Sequence, residues 1–367
     1  MLAFRQCGRA ERKKIDKIAA VRTMIEKFNE NCKKSYSIGE YATLDEMLLA
    51  FRGRCGFRVY IPNKPNKYGL KVFSLVDART VYTNHIELYA GKQPEGPYEV
   101  SNATADVVYR MCGAILGTGR NVTMDRWFTS YELVKTMRDQ HKTTVAGTMR
   151  SNKRELPLAF VTSKGREQYN SMFAFTSHMS LVSYIPRKGK CVLVVSSLHD
   201  SNKIDEDTGV QRKPKIITFY NLTKGGVDTV DHLASSYDVA RNTKRWPMVV
   251  FYGLLNVAAI NAFVINTSNE NTDKVNRRIF LKQLGLQLVV DNMKRRAVNQ
   301  HIPRAVRQSA GRLSGTKEEV PVPSENKRGR CKYCKDRKTK YYCKLCNSYL
   351  CLQHVVVFCC ECSEKKM

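Results

Sequence analysis

Thr223-Lys224-Gly225-Gly226-Val227-Asp228-Thr229-Val230-Asp231 is the stretch from which the rest of the fold can be predicted, because it joins a tight turn to the start of a helix. The two glycines lack the side chains that would hinder the turn, and the residues after them suit a first helical turn. Asp228 and Asp231 stand at positions i and i+3, so both carboxylates lie on one helix face. Acids at a helix start commonly offset the helix dipole. These two are therefore either capping residues or ligands that meet acids from elsewhere in the chain.

Two earlier acids fall on predicted strands. Asp45 interrupts a strand over residues 41–49, and Asp125 ends a strand over residues 120–125. Further strands are predicted at 70–77, 81–89 and 143–149, and helices at 103–116 and 130–141. This alternation predicts a mixed α/β layer. Remote acids on such a layer are typical of metal-dependent nucleases of RNase H-like architecture, in which they share two Mg²⁺ ions.

Changes in composition divide the rest of the chain. Apolar residues at helical spacing predict a helix over residues 9–33, and β-branched residues predict a strand over 216–220. Residues 246–265 are apolar and predict a buried helix that is too short and too interrupted to span a membrane. The predicted domains are a helical segment (1–40), two RNase H-like parts (41–150 and 216–240), a β-rich insertion (151–215), a helical part (241–310), a linker (311–330) and a Cys/His-rich module (331–362).

The chain is strongly basic, with 62 Lys and Arg residues against 33 Asp and Glu residues and a formal net charge of +29. This excess predicts a polyanionic partner, and double-stranded DNA is the first candidate. Membrane insertion is not expected, because no window approaches the roughly 18 uninterrupted apolar residues of a spanning helix. Export is not expected, because the basic first residues lack the apolar core of a secretory signal. The cationic runs are either solvated loops or phosphate-binding arms. The candidate DNA-binding residues are Arg52, Arg54, Lys64, Lys67, Lys153, Arg154, Arg245, Lys327, Arg328 and Arg330.

The tail carries four pairs of potential metal ligands, each pair separated by two residues: Cys331 with Cys334, Cys343 with Cys346, Cys351 with His354, and Cys359 with Cys362. This spacing predicts two tetrahedral Zn²⁺ sites, and disulfides are disfavoured in a chain without an export signal. Alternate pairing predicts a cross-brace, in which the first and third pairs hold one ion and the second and fourth pairs hold the other. Cys360 can replace Cys359 as a ligand. Such modules bind DNA, histone tails or ubiquitin-conjugating enzymes, so the module alone leaves the function open.

The motifs together resemble the piggyBac-like transposases. They run in family order from about residue 15 to the end: Leu44-Asp45-Glu46-Met47-Leu48, Phe51-Arg52-Gly53-Arg54, Lys64-Pro65-x-Lys67-Tyr68-Gly69, Arg120-Asn121-Val122-Thr123-x-Asp125, Asn152-Lys153-Arg154-Glu155, Thr223 to Asp231, Arg245-Trp246-Pro247-Met248 and the cysteine tail.

The resemblance implies a DDE/D transposase that excises an element through hairpin ends and joins it at TTAA. It implies that Asp45, Asp125 and Asp228 bind Mg²⁺ or Mn²⁺ and that Asp231 is a fourth nearby acid. It also implies a homodimer, DNA binding by the helices after Arg241, and a zinc module that reads transposon ends. A nuclear location is expected from the basic run between Lys327 and Lys340, which can serve nuclear import.

Two departures from the family pattern are expected to matter. Most of the segment that precedes the catalytic strand in family members is missing, so residues 1–40 are interpreted as a remnant of the dimerisation and DNA-binding domain. Arg126 replaces the usual Asn after the second acid and can pair with Asp125 in competition with Mg²⁺. The alternative function is therefore a domesticated DNA- or chromatin-binding protein without catalytic activity. A ubiquitin-ligase-like zinc module on an inactive scaffold is a weaker third interpretation.

Overall fold

The computed structural model describes residues 9–62, 64–271, 274–315, 328–334, 336–343 and 347–356. These residues belong to two compact units, one that ends at Lys274 and one that begins at Val275. The predicted helical part, residues 241–310, extends across this division, so its helices belong to different units.

The first unit is built on a nine-stranded mixed sheet. Its strands are β1 (Tyr41–Ala50), β2 (Val59–Tyr60), β3 (Tyr68–Asp77), β4 (Thr83–Leu88), β5 (Asn121–Met124), β6 (Thr144–Thr148), β7 (Ser171–Phe175), β8 (Ser180–Arg187) and β9 (Lys190–Ser196). The order is β2-β3-β1-β5-β6-β9-β8-β7, and β4 also pairs with β3. Strands β1, β5 and β6 are parallel to one another, whereas the other pairs are antiparallel. The predicted mixed α/β layer is confirmed.

Eight helices accompany this sheet in the described part of the first unit. They are α1 (Arg9–Ile15), α2 (Arg22–Ser35), α3 (Thr104–Cys112), α4 (Tyr131–Asp139), α5 (Leu158–Val161), α6 (Lys215–Thr223), α7 (Gly226–Ser236) and α8 (Trp246–Ser268). The predicted helix over 9–33 is therefore two helices. The break falls at Asp16, which is buried, accepts a hydrogen bond from the backbone N–H of Ile18 and forms a salt bridge with Arg22.

Alternation along the strands creates a core on each side of the sheet. On one side, Leu44 of β1 and Met124 of β5 pack with residues of α3 and α4. On the other side, Met47 of β1 packs with residues of α2, α7 and α8. The odd-numbered residues of β1 therefore face α7 and α8, and this is the side on which Asp45 lies.

The strand predicted over residues 216–220 is wrong, because this segment lies within helix α6. Pro214 precedes the helix with a φ of −56°, and its ring needs no N–H partner at a helix start. Ile216 and Ile217 are buried in a small core with Val182 and Val194 of the neighbouring strands. Tertiary packing thus overrides the weak helix propensity of these β-branched residues.

The predicted β-rich insertion is not a separate layer. Its strands β7, β8 and β9 continue the central sheet, since β9 pairs antiparallel with β6. The insertion therefore widens the sheet beyond the strands that carry the acids.

Helix α8 is longer than the sequence pattern suggested. It has 23 residues and is apolar enough by composition to cross a membrane, which corrects the expectation that the segment is too short. Val250, Leu254, Val257 and Ile260 pack into the core on the α7 side of the sheet. The helix thus serves as a core helix in this structure.

In the second unit, helices α9 (Arg277–Val298) and α10 (Arg304–Ser314) pack against each other. Two short antiparallel strands follow, β10 (Gly329–Arg330) and β11 (Lys338–Thr339). The predicted linker begins too early, because α10 continues to Ser314. Residues 316–327 of that linker lie outside the described residues.

Candidate active site and metal centre

Parallel pairing of β1 with β5 places two of the predicted acids side by side. Leu44 is paired with Met124, and each strand's next residue is an acid, Asp45 on β1 and Asp125 after β5. Carboxyl ends of parallel strands meet at the same sheet edge, which is where ligands commonly bind in α/β sheets. The sequence prediction that these two acids belong together is supported by this register.

Helix α7 reaches the same sheet edge through three threonines. Thr43 Oγ1 donates a hydrogen bond to the carbonyl oxygen of Thr223 at 2.6 Å. The hydroxyls of Thr123 and Thr223 are 2.7 Å apart. Thr43 and Thr123 lie two residues before the acids on the same sheet face, so they fix the α6–α7 junction beside the acids.

A glycine permits the close approach of α7 to the sheet. A Cβ atom on Gly226 would lie 2.6 Å from Thr43 Oγ1, whereas one on Gly225 would meet nothing within 4 Å. Of the glycine pair, Gly226 is therefore the one that the packing requires. Asp228 and Asp231 follow on α7, as the sequence predicts.

We call Asp45, Asp125, Asp228 and Asp231 the acid site. Burial raises the pKa of Asp45 to about 7, and the charges of Glu46, Asp125 and Asp228 add to this effect. A hydrogen bond from the backbone N–H of Glu46, at 2.8 Å, partly offsets it. Burial also raises the pKa of Asp231, although the charge of Lys64 opposes the rise. Because the pKa values of Asp45 and Asp231 are raised, added positive charge near these two acids is favourable.

The carboxylate oxygens of the acid site are not as close together as the ligands of an occupied metal site. Among the described residues, one group of three or more potential ligands has all its donor atoms within 4.8 Å of one another, and it lies in the tail. The carboxylates carry like charges, so their mutual repulsion disfavours a closer approach. The donor set is nevertheless made of carboxylate oxygens, which fits Mg²⁺ or Mn²⁺ better than a soft metal.

Two residues that the sequence did not single out, Tyr220 and Thr148, are connected to the acid site through Tyr220. Burial raises the pKa of Tyr220 in α6, and the charges of nearby acids, Asp125 foremost, add to this rise. A hydrogen bond with Thr148 partly offsets it. The Tyr220 hydroxyl lies 3.4 Å from Thr148 Oγ1, at the end of β6. Since α6 was predicted as a strand, no periodicity pointed Tyr220 towards the acids.

Arg126 does not behave as expected. It is exposed, and no salt bridge joins it to Asp125 in the described part of the chain. Asp125 Oδ1 instead accepts a hydrogen bond from the backbone N–H of Trp127 at 2.7 Å. The predicted competition between Arg126 and a metal ion is therefore not supported by this geometry.

The candidate DNA-binding residues differ in their surroundings. Lys64 and Lys153 are half-buried, Lys327 lies outside the described residues, and the others are exposed: Arg52, Arg54, Lys67, Arg154, Arg245, Arg328 and Arg330. Arg52 and Lys67 line a cavity of about 420 Å³ together with Arg241 and Lys244. Four cations around one cavity favour an anionic ligand. Lys64 differs from them, because it forms a salt bridge with Asp228.

The tail brings the first predicted set of four ligands together. Donor atoms of Cys331, Cys334, Cys351 and His354 lie within 4.8 Å of one another, and we call these residues the tail cluster. Cys351 Sγ is 3.2 Å from His354 Nδ1 and 3.8 Å from Cys334 Sγ. Hydrogen bonds from the backbone, that of Cys351 foremost, lower the pKa of the Cys331 thiol to about 6, which favours the thiolate that binds metals.

The second predicted set is only partly described. Cys343 lies in the described part of the tail, whereas Cys346, Cys359 and Cys362 lie outside it, as does Cys360. The second zinc site therefore stays a prediction.

Comparisons with known proteins agree with the fold. The family model described as Transposase IS4 matches residues 2–263. The human piggyBac transposable element-derived protein 3 is 27% identical over 248 residues, which cover 63% of this chain and 41% of that protein. A human chimeric ERCC6-PGBD3 protein is also 27% identical over 248 residues, which cover 63% of this chain and 23% of that protein. The chain thus spans less than half the length of these relatives.

A solved structure matches nearly the whole chain. It is a cryo-EM structure of a piggyBac transposase synaptic complex with hairpin DNA, with a TM-score of 0.82 and 35% identity. The match covers 96% of this chain and 76% of that one. From the family model, the relatives and this structure, the chain belongs to the piggyBac-type transposases.

Proposed function

We propose that the chain is a metal-dependent DNA strand-transfer enzyme that cuts transposon ends through hairpin intermediates and joins them at TTAA. The observation that carries this proposal is the pairing of β1 with β5, which aligns Asp45 with Asp125 at the sheet edge that α7 approaches. DNA transposition also fits the likeness to a solved transposase that was captured in a synaptic complex with hairpin DNA. The net charge of +29 supports a DNA partner.

In this proposal Asp45, Asp125 and Asp228 hold two Mg²⁺ or Mn²⁺ ions, with Asp231 as a neighbouring acid. The ions, when bound, supply the charge that activates the attacking oxygen and stabilises the leaving oxygen. Burial raises the pKa of Asp45 to about 7, and a rise in pH would favour the carboxylate form, which is the form that would hold a metal ion. The threonine contacts to the α6–α7 junction keep Asp228 in place relative to Asp45 and Asp125.

The tail cluster is proposed to hold one Zn²⁺, because three cysteines and one histidine form a donor set typical of structural zinc sites. The second set of predicted ligands is proposed to hold another. Exposed cations in the tail, including Arg328 and Arg330, are proposed to contact DNA. Homodimer formation and a nuclear location complete the proposal.

The test is incubation of the full chain with DNA that carries a TTAA-flanked transposon end, in Mg²⁺, in Mn²⁺ and in EDTA. We expect Asp228→Ala to lower metal-dependent cleavage at least about 100-fold, because a carboxylate that holds the metal is lost. DNA binding in EDTA should remain close to that of the parent. Asp207→Ala is the matched control, since Asp207 is an exposed acid of the insertion.

Equal cleavage by Asp228→Ala and the parent would show that Asp228 is only a helix-capping residue, whose loss costs about 1 kcal/mol of stability. Loss of DNA binding together with folding would also count against the metal-ligand role.

A second function is favoured by one observation, the similarity to a human protein that is itself derived from a transposable element. In this alternative the chain is a domesticated DNA- or chromatin-binding protein. Tight, salt-dependent DNA binding without cleavage in either metal would support the binding protein over the enzyme.

A further inference from the structure

Lys64 lies among the acids of the acid site rather than on an exposed arm. Its Nζ donates hydrogen bonds to Asp228 Oδ1 and to the carbonyl oxygen of Glu46, each at 3.2 Å. The Lys64 side chain is 19% exposed, although that of Asp228 is 67% exposed. Two oxygen acceptors and a half-buried stem fix the ammonium group between β1 and α7.

This ammonium is the main positive charge next to the acid site. In the described part of the chain, no other salt bridge joins a Lys or Arg to any of the four acids. Burial lowers the pKa of Lys64, but attraction to Asp228, Asp231 and Asp45 more than compensates and leaves it raised. Lys64 is therefore charged and interacts with three acids, although it contacts only Asp228 directly.

An exposed lysine nearby has different contacts. Lys67 lies in the same loop, is exposed and lines the basic cavity with Arg52. A shared role as DNA-binding arms would place both ammonium groups towards solvent. The salt bridge instead places the Lys64 ammonium group beside Asp228, where it neutralises a carboxylate that is proposed to bind a metal ion.

We propose that Lys64 is a positioning residue that competes with a divalent cation for Asp228, an inference that rests on the proposed metal-binding role of the acid site. The ammonium group holds α7 and the loop before β3 together until a divalent cation binds. Binding of the cation to Asp228 then releases Lys64 and the loop that carries it. Metal binding is thereby coupled to the position of this loop.

The test is a Mn²⁺ titration of the zinc-loaded full chain without DNA. We expect Lys64→Met to bind Mn²⁺ up to about fivefold more tightly, because the variant lacks a competing ion pair of the strength typical of partly exposed pairs. Lys67→Met is the matched control and should bind Mn²⁺ like the parent. Lys64→Arg retains the charge and should also remain close to the parent.

A double-mutant cycle isolates the contact. In an Asp228→Asn background, Lys64→Met should change Mn²⁺ affinity by less than about twofold, since the shared partner is gone. In EDTA, Lys64→Met should melt at a lower temperature than the parent, and saturating Mn²⁺ should remove most of this difference. Unchanged or weaker Mn²⁺ binding by folded Lys64→Met would overturn the proposal.

The outcome separates this inference from the proposed enzyme activity. If Lys64→Met binds Mn²⁺ more tightly but the chain never cleaves DNA, competition by Lys64 is supported and the proposed enzyme activity is refuted. If the chain cleaves DNA but Lys64→Met leaves the Mn²⁺ affinity unchanged, the enzyme activity is supported and competition by Lys64 is refuted. Absence of Mn²⁺ binding in both parent and variant overturns both.

Discussion

The acid site and the tail cluster gather their ligands in opposite ways. The acids come from β1, the end of β5 and α7, and only a folded sheet brings them together. The tail cluster uses two pairs, Cys331 with Cys334 and Cys351 with His354, each of which is local in sequence. The acid site therefore depends on the packing of the core, whereas the tail cluster depends on its own ligands and on the metal that they would hold.

The largest change is expected in the zinc content of the chain when one ligand of the tail cluster is removed. Cys351→Ser should lose one equivalent of zinc, because structural zinc binding is worth about 10–16 kcal/mol and needs all four ligands. Elemental analysis of the purified chain measures the loss, and the melting transition of the first unit should not change. Cys55→Ser, a half-buried thiol outside the tail, is the control and should retain its zinc. An unchanged zinc content in Cys351→Ser would contradict the assignment.

The next effect tests the burial of the acid site through its pH dependence. Burial raises the pKa of Asp45 from 3.8 to about 7, so its contribution to stability is fully present below pH 3.8 and is lost as the pH rises to about 7. In EDTA, the free energy of unfolding should therefore fall over this window relative to Asp45→Asn, by up to about 4 kcal/mol. Chemical denaturation at several pH values measures this difference. Parallel curves for the two proteins would mean that Asp45 is well solvated.

A packing change should damage the acid site and spare the tail cluster. Gly226→Ala places a Cβ atom 2.6 Å from Thr43 Oγ1, and such overpacking costs about 1–3 kcal/mol. Cleavage should fall because α7 shifts, while zinc content stays the same. Gly225→Ala is the matched control, since its Cβ would meet nothing within 4 Å. If the two variants prove equally stable and equally active, α7 does not depend on this close contact.

The smallest effect concerns Arg126. Because it is exposed and forms no salt bridge with Asp125 in the described part of the chain, Arg126→Asn should change stability by less than about 0.5 kcal/mol. Cleavage should change less than about twofold. A large gain in activity would restore the interpretation, drawn from the family pattern, that this arginine competes with the metal.

Much of the framework could be predicted from the sequence, because it rests on periodicity. The bounds predicted for the strand that carries Asp45 and for the strand beside Asp125, and the start predicted for the helix that carries Asp228, lie within a few residues of the observed ones. Local spacing was also sufficient to group the described tail ligands.

What the sequence did not reveal depends on contacts between distant segments. Ile216 and Ile217 favour a strand by themselves, and only their burial beneath β8 and β9 explains the helix α6. The bond from Thr43 to Thr223 joins residues far apart in the chain, so no local pattern indicates it. The same is true of the salt bridge from Lys64 to Asp228, which changes a predicted DNA-binding residue into a partner of the acids.

The hydrogen bonds among Thr43, Thr123 and Thr223 affect which changes of length this chain can tolerate. The insertion follows β6, continues the same sheet with β9, β8 and β7, and ends at α6, so both of its ends are fixed to elements beside the acids. Residues can therefore be added or lost at an exposed hairpin such as the β8–β9 turn, at Gly189, without moving the acids. A change of length at this turn is therefore expected to leave the arrangement of the four acids unchanged.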